Sequence, residues 1–235
     1  MYVLKDISKR YKQHVALAPL SFQVSKGECL VLCGGNGAGK STLIDILAGI
    51  SMPSSGAVTL EEDSLIDHRK QYLTNISYMP DDFHAQRYLT VREFLLFYGS
   101  LRSVSKDKVN KVLDTIGLQE KQYAKVKELS KGMRQRLLLG QALLPEAKAI
   151  LLDEPTNGLD PYWINQFIQI IKEAKKNGTI IIFSTHMMDV AAELGDEIMF
   201  LDNGHVVKQL KNYYLNIPEL TLKLLSLHRQ LKRSD

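Results

Sequence analysis

Hydrophobic and polar positions follow two periods along this chain, and the places where the period changes divide it. Val3 to Arg10 alternates weakly and predicts a strand. Val15 to Val24 predicts a further strand, or a pair broken at Pro19. Lys26-Gly27-Glu28 is a turn leading into Cys29-Leu30-Val31-Leu32-Cys33, an unbroken apolar run of the kind covered on both faces of a sheet. Ala149-Ile150-Leu151-Leu152 and Thr179 to Phe183 repeat that pattern. Shorter strands are predicted at Ala57-Val58-Thr59-Leu60, after the turn Pro53-Ser54-Ser55-Gly56, and at Ile76-Ser77-Tyr78-Met79. Glu197 to Leu201 and Val206-Val207 flank Asp202-Asn203-Gly204-His205, a hairpin signal.

Between these strands the period lengthens. Leu43-Ile44-Asp45-Ile46-Leu47 reads as a helix. Thr90 and Glu93 have the spacing of a capping box ahead of Phe94-Leu95-Leu96-Phe97-Tyr98. Val109, Val112, Leu113 and Ile116 fall at i, i+3, i+4 and i+7, with Gly117 as the stop. A helix follows Leu129-Ser130-Lys131-Gly132-Met133 through Leu137, Leu138 and Leu144, for which Ser130 serves as a plain N-cap. Asp160 caps another, with Pro161 in its first position and Ile164, Phe167, Ile168 and Ile171 on its apolar face, ending at Asn177-Gly178. From about Phe83 to Leu144 there is no convincing strand, so this stretch is expected to be a helical lobe inserted in an α/β core. The tail, from Pro218, carries Leu220, Leu224, Leu227 and Leu231 on one stripe with Lys223, Arg229, Lys232 and Arg233 elsewhere. Such a helix either docks on its own body or meets a partner or membrane surface.

Composition narrows the picture little. At 235 residues, 45% hydrophobic and 24% charged, the chain has the make-up of an ordinary globular protein with one sizeable core. A net charge of +4 is too mild to argue for a nucleic-acid partner. The N-terminus lacks a signal-peptide core and no apolar run has the length of a bilayer span, so a membrane process would need another chain for its membrane part. Cys29 and Cys33 lie on one strand face, roughly 13 Å apart at strand rise, too far to bridge. Two buried free thiols fit the cytosol.

The chemistry centres on Gly34-Gly35-Asn36-Gly37-Ala38-Gly39-Lys40-Ser41-Thr42, set between a buried strand and a helix. That context suits a phosphate-binding loop: glycines bring backbone N–H groups close to phosphate oxygens, and the helix N-terminus adds a positive dipole end. Lys40 supplies a full charge for the β- and γ-phosphates, and the Ser41 hydroxyl can ligate Mg²⁺. Asp153-Glu154 closes the apolar strand 149–152, where two carboxylates are costly unless they hold a metal or move a proton. His186 closes another such strand through Ser184-Thr185. Tyr11, ahead of the loop, reads either as strand packing or as a ring for adenine.

With these residues in view, the chain resembles the nucleotide-binding subunit of an ATP-binding cassette (ABC) transporter over about Tyr2 to Val207. The resemblance rests on a fixed order: Tyr11, the phosphate loop, the Pro80-Asp81 turn, Leu129-Ser130-Lys131-Gly132-Met133, Asp153-Glu154, Gly158-Leu159-Asp160 and His186. It implies an α/β fold, a P-loop NTPase (RecA-like) core with an N-terminal antiparallel β subdomain and an inserted helical subdomain at about 83–144. The cassette would span 1–210, and an amphipathic tail 211–235. It also implies ATP and Mg²⁺ as cofactors and a second nucleotide-binding subunit, facing the first head to tail with ATP between. A separate transmembrane permease would be the partner, with this chain peripheral at the cytoplasmic face of the membrane. In that scheme Gly34 to Thr42 and Lys40 hold the phosphates, and Ser130 and Gly132 of the facing copy close on the γ-phosphate. Asp153 and Ser41 attend the metal. Glu154 acts as general base, His186 contacts the γ-phosphate and places the water, and Asp160 communicates across the dimer.

Two departures stand out. Asp81 occupies a position where most of the family has glutamine near the metal; a carboxylate there reaches Mg²⁺ only through water, and some bacterial exporter cassettes resemble this Pro-Asp pattern. Lys131 and Met133 replace glycine and glutamine, while Ser130 and Gly132 are retained. The segment Asp81–Thr90, with Phe83, Tyr88 and Leu89, either receives the permease or packs into the lobe. The Pro-Asp turn and the short stretch after Val207 tilt the expectation to export. A two-cassette ribosomal ATPase, a coiled-coil repair ATPase and a non-hydrolysing regulatory module are the rival readings. One cassette, no heptads between Thr42 and Leu129, and an intact Lys40, Asp153, Glu154 and His186 argue against them.

Overall fold

The computed structural model describes residues 1–82, 87–212 and 216–231. Phe83, Lys232, Arg233 and the Leu231 side chain, all named above, lie outside the described residues. Ten strands and eight α-helices form among those described. In chain order they are β1 (Tyr2–Tyr11), β2 (His14–Val24), β3 (Cys29–Cys33), α1 (Lys40–Leu47), β4 (Ser55–Leu60), β5 (Asp63–Ser64), α2 (Arg69–Thr74), β6 (Ile76–Met79), α3 (Val91–Leu101), α4 (Lys106–Thr115), α5 (Lys131–Leu143), β7 (Ala149–Leu152), α6 (Pro161–Lys176), β8 (Ile180–Ser184), α7 (Met188–Leu194), β9 (Glu197–Asp202), β10 (His205–Lys211) and α8 (Ile217–Leu231).

They make two sheets. A four-stranded antiparallel sheet has the order β2-β1-β4-β5, and a six-stranded sheet the order β10-β9-β3-β8-β7-β6. The second is parallel from β9 through β6, with β10 added antiparallel by the hairpin at Asn203-Gly204. This is the α/β architecture expected from the alternation of strands and helices. β3, β7 and β8 are buried at every position, which is why they read as continuous apolar runs rather than alternations. β2 is one strand and not a pair. Its partner register shifts between Ile7↔Leu20 and Lys9↔Leu17, so Pro19 sits at a bulge on an edge strand, where its missing N–H costs no ladder bond.

α1 lies between the sheets. Leu43, Ile44, Ile46 and Leu47 are buried in one cluster with Tyr2, Leu4 and Ile7 of the antiparallel sheet and Leu30, Leu151 and Ile182 of the parallel one. At its end the Leu47 carbonyl accepts the hydroxyls of Tyr2 at 2.8 Å and Tyr72 at 2.6 Å, satisfying a carbonyl the helix itself leaves open. A second cluster covers the other face of the parallel sheet with α5, α6, α7 and α8. Leu220 and Leu224 of α8 are buried in it, α8 packing on α7. A third cluster joins α3, α4 and α5 through Phe94, Leu113, Ile116 and Leu137. It is tied to α6 by Arg136, whose guanidinium lies 3.9 Å from the Trp163 ring centroid and donates to the carbonyls of Ile116 and Gly117. The capping box at Thr90 and Glu93 forms as its spacing predicts. Among the described residues no helix is long and apolar enough to cross a membrane.

Candidate active site

The site is assembled at the C-terminal ends of β3, β7 and β8, the edge of an open parallel sheet where loops leave the core. β3 runs into the glycine loop and α1 begins at Lys40. Two glycines in the loop are dictated by close approach and left-handed backbone. At Gly34 (φ 151°) an added Cβ would stand 2.3 Å from the Leu201 carbonyl oxygen, and at Gly39 (φ 101°) 2.9 Å from that of Ala16. Ala38 packs inward, Asn36 and Gly37 are exposed, Ser41 is exposed at the start of α1, and Thr42 is half-buried. Lys40 is 8% exposed, and its ammonium donates to the carbonyls of Gly34 at 3.0 Å and Gly35 at 3.1 Å. The loop therefore already curls around a buried cation.

Glu154 faces that cation. Its Oε1 is 3.6 Å from Lys40 Nζ, and its Oε2 is 3.0 Å from Nδ1 of His186, a ring largely in solvent. The residue has φ 45°, the left-handed region that a non-glycine residue enters only at a cost of roughly 1 kcal/mol or more. Its N–H donates to Ser184 Oγ at 2.8 Å, and its carbonyl accepts from Gln135 Nε2 at 3.0 Å and from the Asn157 N–H at 3.1 Å. Asp153, 4% exposed, has Oδ1 2.5 Å from the Ser184 hydroxyl that donates to it. Beneath it, Tyr78 donates to Asp45 Oδ1 at 3.3 Å; burial, reinforced by the Asp153 charge, raises the Asp45 carboxyl above its ordinary range. Burial also pushes the Cys33 thiol, just before the loop, up to about 12, with Lys40 opposing; a neutral thiol there packs rather than reacts. Both cysteines are free and buried.

Lys40, Asp153, Glu154 and His186, expected to work together, are thus contiguous through direct contacts or through Ser184. The others are engaged elsewhere. Asp81 accepts a hydrogen bond from Asn157 Nδ2 at 2.8 Å, joining the loop after β6 to the loop after β7. Ser130 accepts from the Met133 N–H at 3.2 Å and Asp160 from the Trp163 N–H at 2.9 Å, so each caps its own helix. Gly132 lies against the Gly158 carbonyl oxygen, 2.7 Å from where a Cβ would be. Tyr11 ends β1, 48% exposed, with the Lys9 ammonium 4.9 Å from its ring centroid.

The sequence reading passed over Ser184, Gln135 and Asn157. Ser184 was visible as the one polar residue ending an otherwise apolar strand, two positions before His186. Gln135 was visible as an amide at i−3 and i−4 from the apolar Leu138 and Leu139 of α5, a place where a polar group needs a buried partner.

The donor set suits a hard divalent cation. Ser41 offers a hydroxyl and Asp153 a carboxylate, both oxygen ligands. Among the described residues no cluster of three or more histidine, cysteine, aspartate or glutamate side chains holds a metal by itself.

Comparison with known proteins adds the lineage. A family model described as ABC transporter matches residues 17–157. The uncharacterized ABC transporter ATP-binding protein YxlF of Bacillus subtilis is 35% identical over 210 residues, covering 88% of this chain and 69% of that protein. The Nod factor export ATP-binding protein I of Rhizobium etli is 34% identical over 208 residues, covering 87% of this chain and 66% of that protein. The chain thus spans about two thirds of the length of these relatives. A bacterial ABC transporter cassette, MJ0796, solved as a dimer, superposes with a TM-score of 0.84 at 24% identity, over 92% of this chain and 100% of that one, a likeness of fold.

Proposed function

This chain belongs to the ABC transporter family as an ATP-binding subunit, and from that premise we propose that it clamps ATP against a second copy, hydrolyses it, and so drives export through a separate membrane-spanning permease. The observation that carries the proposal is the contact of Lys40, Glu154 and His186 beside Asp153 at one sheet edge.

The chemistry follows from what each group offers. The loop N–H groups and the α1 N-terminus take the α- and β-phosphates, and the ammonium of Lys40 exchanges its carbonyl partners for β- and γ-phosphate oxygens. Mg²⁺, when bound through Ser41 and Asp153, neutralises phosphate charge. Glu154 accepts a proton from a water whose oxygen attacks the γ-phosphorus; the bond to the β–γ bridging oxygen breaks, giving ADP and phosphate. His186, 3.0 Å from the Glu154 carboxylate, fixes where that carboxylate points and supplies a donor toward the γ-phosphate. Tyr11 offers an exposed ring for adenine. Ser130 and Gly132 open the exposed N-terminus of α5, an anion site suited to the γ-phosphate held by the facing copy, and Asp160 stands at the equivalent end of α6. Asp81, bonded to Asn157, would meet a bound metal through water.

Export is supported by the Rhizobium relative, named for exporting Nod factor, and by the Pro80-Asp81 turn. The subunit then sits peripherally at the cytoplasmic face of a membrane, with its permease and second cassette as partners and without nucleic acid. The test is to purify the tagged full chain from solubilised membranes and assay Mg²⁺-ATP turnover against a Glu154→Gln control. A co-purifying multi-spanning protein and turnover well above the control are expected. Ribosomal proteins or DNA in its place, or no turnover above the control, contradict the proposal.

A further inference from the structure

Glu154 is placed in a backbone conformation that its own residue type disfavours, and both ends of its residue are held from outside the β7 strand that delivers it. Ser184, at the end of β8 and wholly buried, touches two groups. Its hydroxyl has one proton and two lone pairs. The neighbour at 2.5 Å, Asp153 Oδ1, is an acceptor, so the proton goes there; the neighbour at 2.8 Å, the Glu154 N–H, is a donor, so a lone pair meets it. One side chain thus fixes the distance between the metal-side carboxylate and the peptide of the base. On the opposite side Gln135, 5% exposed on α5, donates to the Glu154 carbonyl at 3.0 Å. With φ held at 45° from both sides, the Glu154 side chain is directed at Lys40 and His186.

We infer that Ser184 and Gln135 are positioning residues that clamp the Glu154 peptide, and that Gln135 makes the clamp answer to α5. Helix α5 begins at Lys131, capped by Ser130, and Gln135 lies one turn beyond Lys131 on the same rigid element. A phosphate engaged at the N-terminus of α5 therefore bears directly on the carbonyl of the base within the same subunit. This inference rests on the reading of Glu154 as general base.

The experiment compares Ser184→Ala with the wild-type full chain by kcat and KM for ATP, by amide exchange of the Glu154 N–H measured by NMR, and by a cycle with Glu154→Gln in single turnover. The expected result is a kcat lower by roughly ten- to a hundredfold, the scale of a misplaced reacting group, with KM for ATP within about twofold. Exchange at the Glu154 amide should be at least about tenfold faster, since its buried acceptor is gone. In the Glu154→Gln background, Ser184→Ala should add no further loss. Unchanged kcat beside a dead Glu154→Gln, or losses that multiply in the double variant, overturns the clamp. Wild-type turnover in Glu154→Gln instead overturns the reading of the base, and the exchange measurement alone then decides the clamp: an unaltered rate refutes it. Gln135→Met, which keeps the stem and removes the donor to the Glu154 carbonyl, is judged by kcat, KM and the cycle with Glu154→Gln, and decides the clamp if Ser184→Ala does not fold: a wild-type kcat refutes it.

Discussion

The two ends of helix-bearing loops in this molecule are built in opposite ways. At the phosphate loop, charge is buried and satisfied within the chain: Lys40 is closed on two loop carbonyls, Asp153 on Ser184, and Glu154 on His186. At the start of α5, Ser130 and Lys131 are exposed, and Ser130 caps its own helix. One region is prearranged. The other is an ordinary helix N-terminus, whose N–H groups suit an anion brought from outside the chain. On the proposed function, the difference is that between a finished half-site and one that a head-to-tail pair would complete.

The sharpest way to break that comparison is Ser130→Asp. Aspartate caps helices about as well as serine, so folding stability should change by no more than about 0.5 kcal/mol. Its carboxylate, however, would oppose a phosphate arriving from the facing copy. Nucleotide affinity of the isolated chain should stay within about twofold, while pairing in Mg²⁺-ATP weakens by at least about tenfold, read by light scattering. Undiminished pairing would mean that α5 does not meet the phosphate.

An effect of similar size, on nucleotide binding instead of pairing, is expected from Tyr11→Ala. The ring is exposed at the end of β1, with the Lys9 ammonium over it and a long contact to Ser51. Removing it should leave the melting temperature nearly unchanged. Stacking of a base on an aromatic ring is worth roughly 1–3 kcal/mol, so ATP should bind about tenfold or more weakly. Tripolyphosphate, which has no base, should bind as before. Equal losses for both ligands would place Tyr11 in packing.

Much of the prearranged region was legible because its signals are local. An apolar run, a glycine loop and a following helix occupy Cys29 to Leu47 without interruption, and β7 and β8 announce themselves as unbroken apolar runs ending in carboxylates and His186. The helical capping signals at Thr90, Ser130 and Asp160 were likewise local and formed as read. What stayed hidden depends on contacts far apart in sequence. Pro19 was readable as a strand breaker because the bulge that tolerates it is set by β1. The short helices α2 and α7 and the two-residue β5 carry too few turns for periodicity to register. Ser184 and Gln135 look unremarkable until β8 and α5 are placed beside β7, and Asp81 gives no hint in sequence that Asn157 is its partner.

The claim on which the rest depends is that ATP is shared between two copies. The direct test is the molar mass of the purified Glu154→Gln chain by light scattering, with Mg²⁺-ATP and with Mg²⁺-ADP. A dimer in ATP and a monomer in ADP is the predicted result. A single unchanged mass in both, with ATP demonstrably bound, would contradict it.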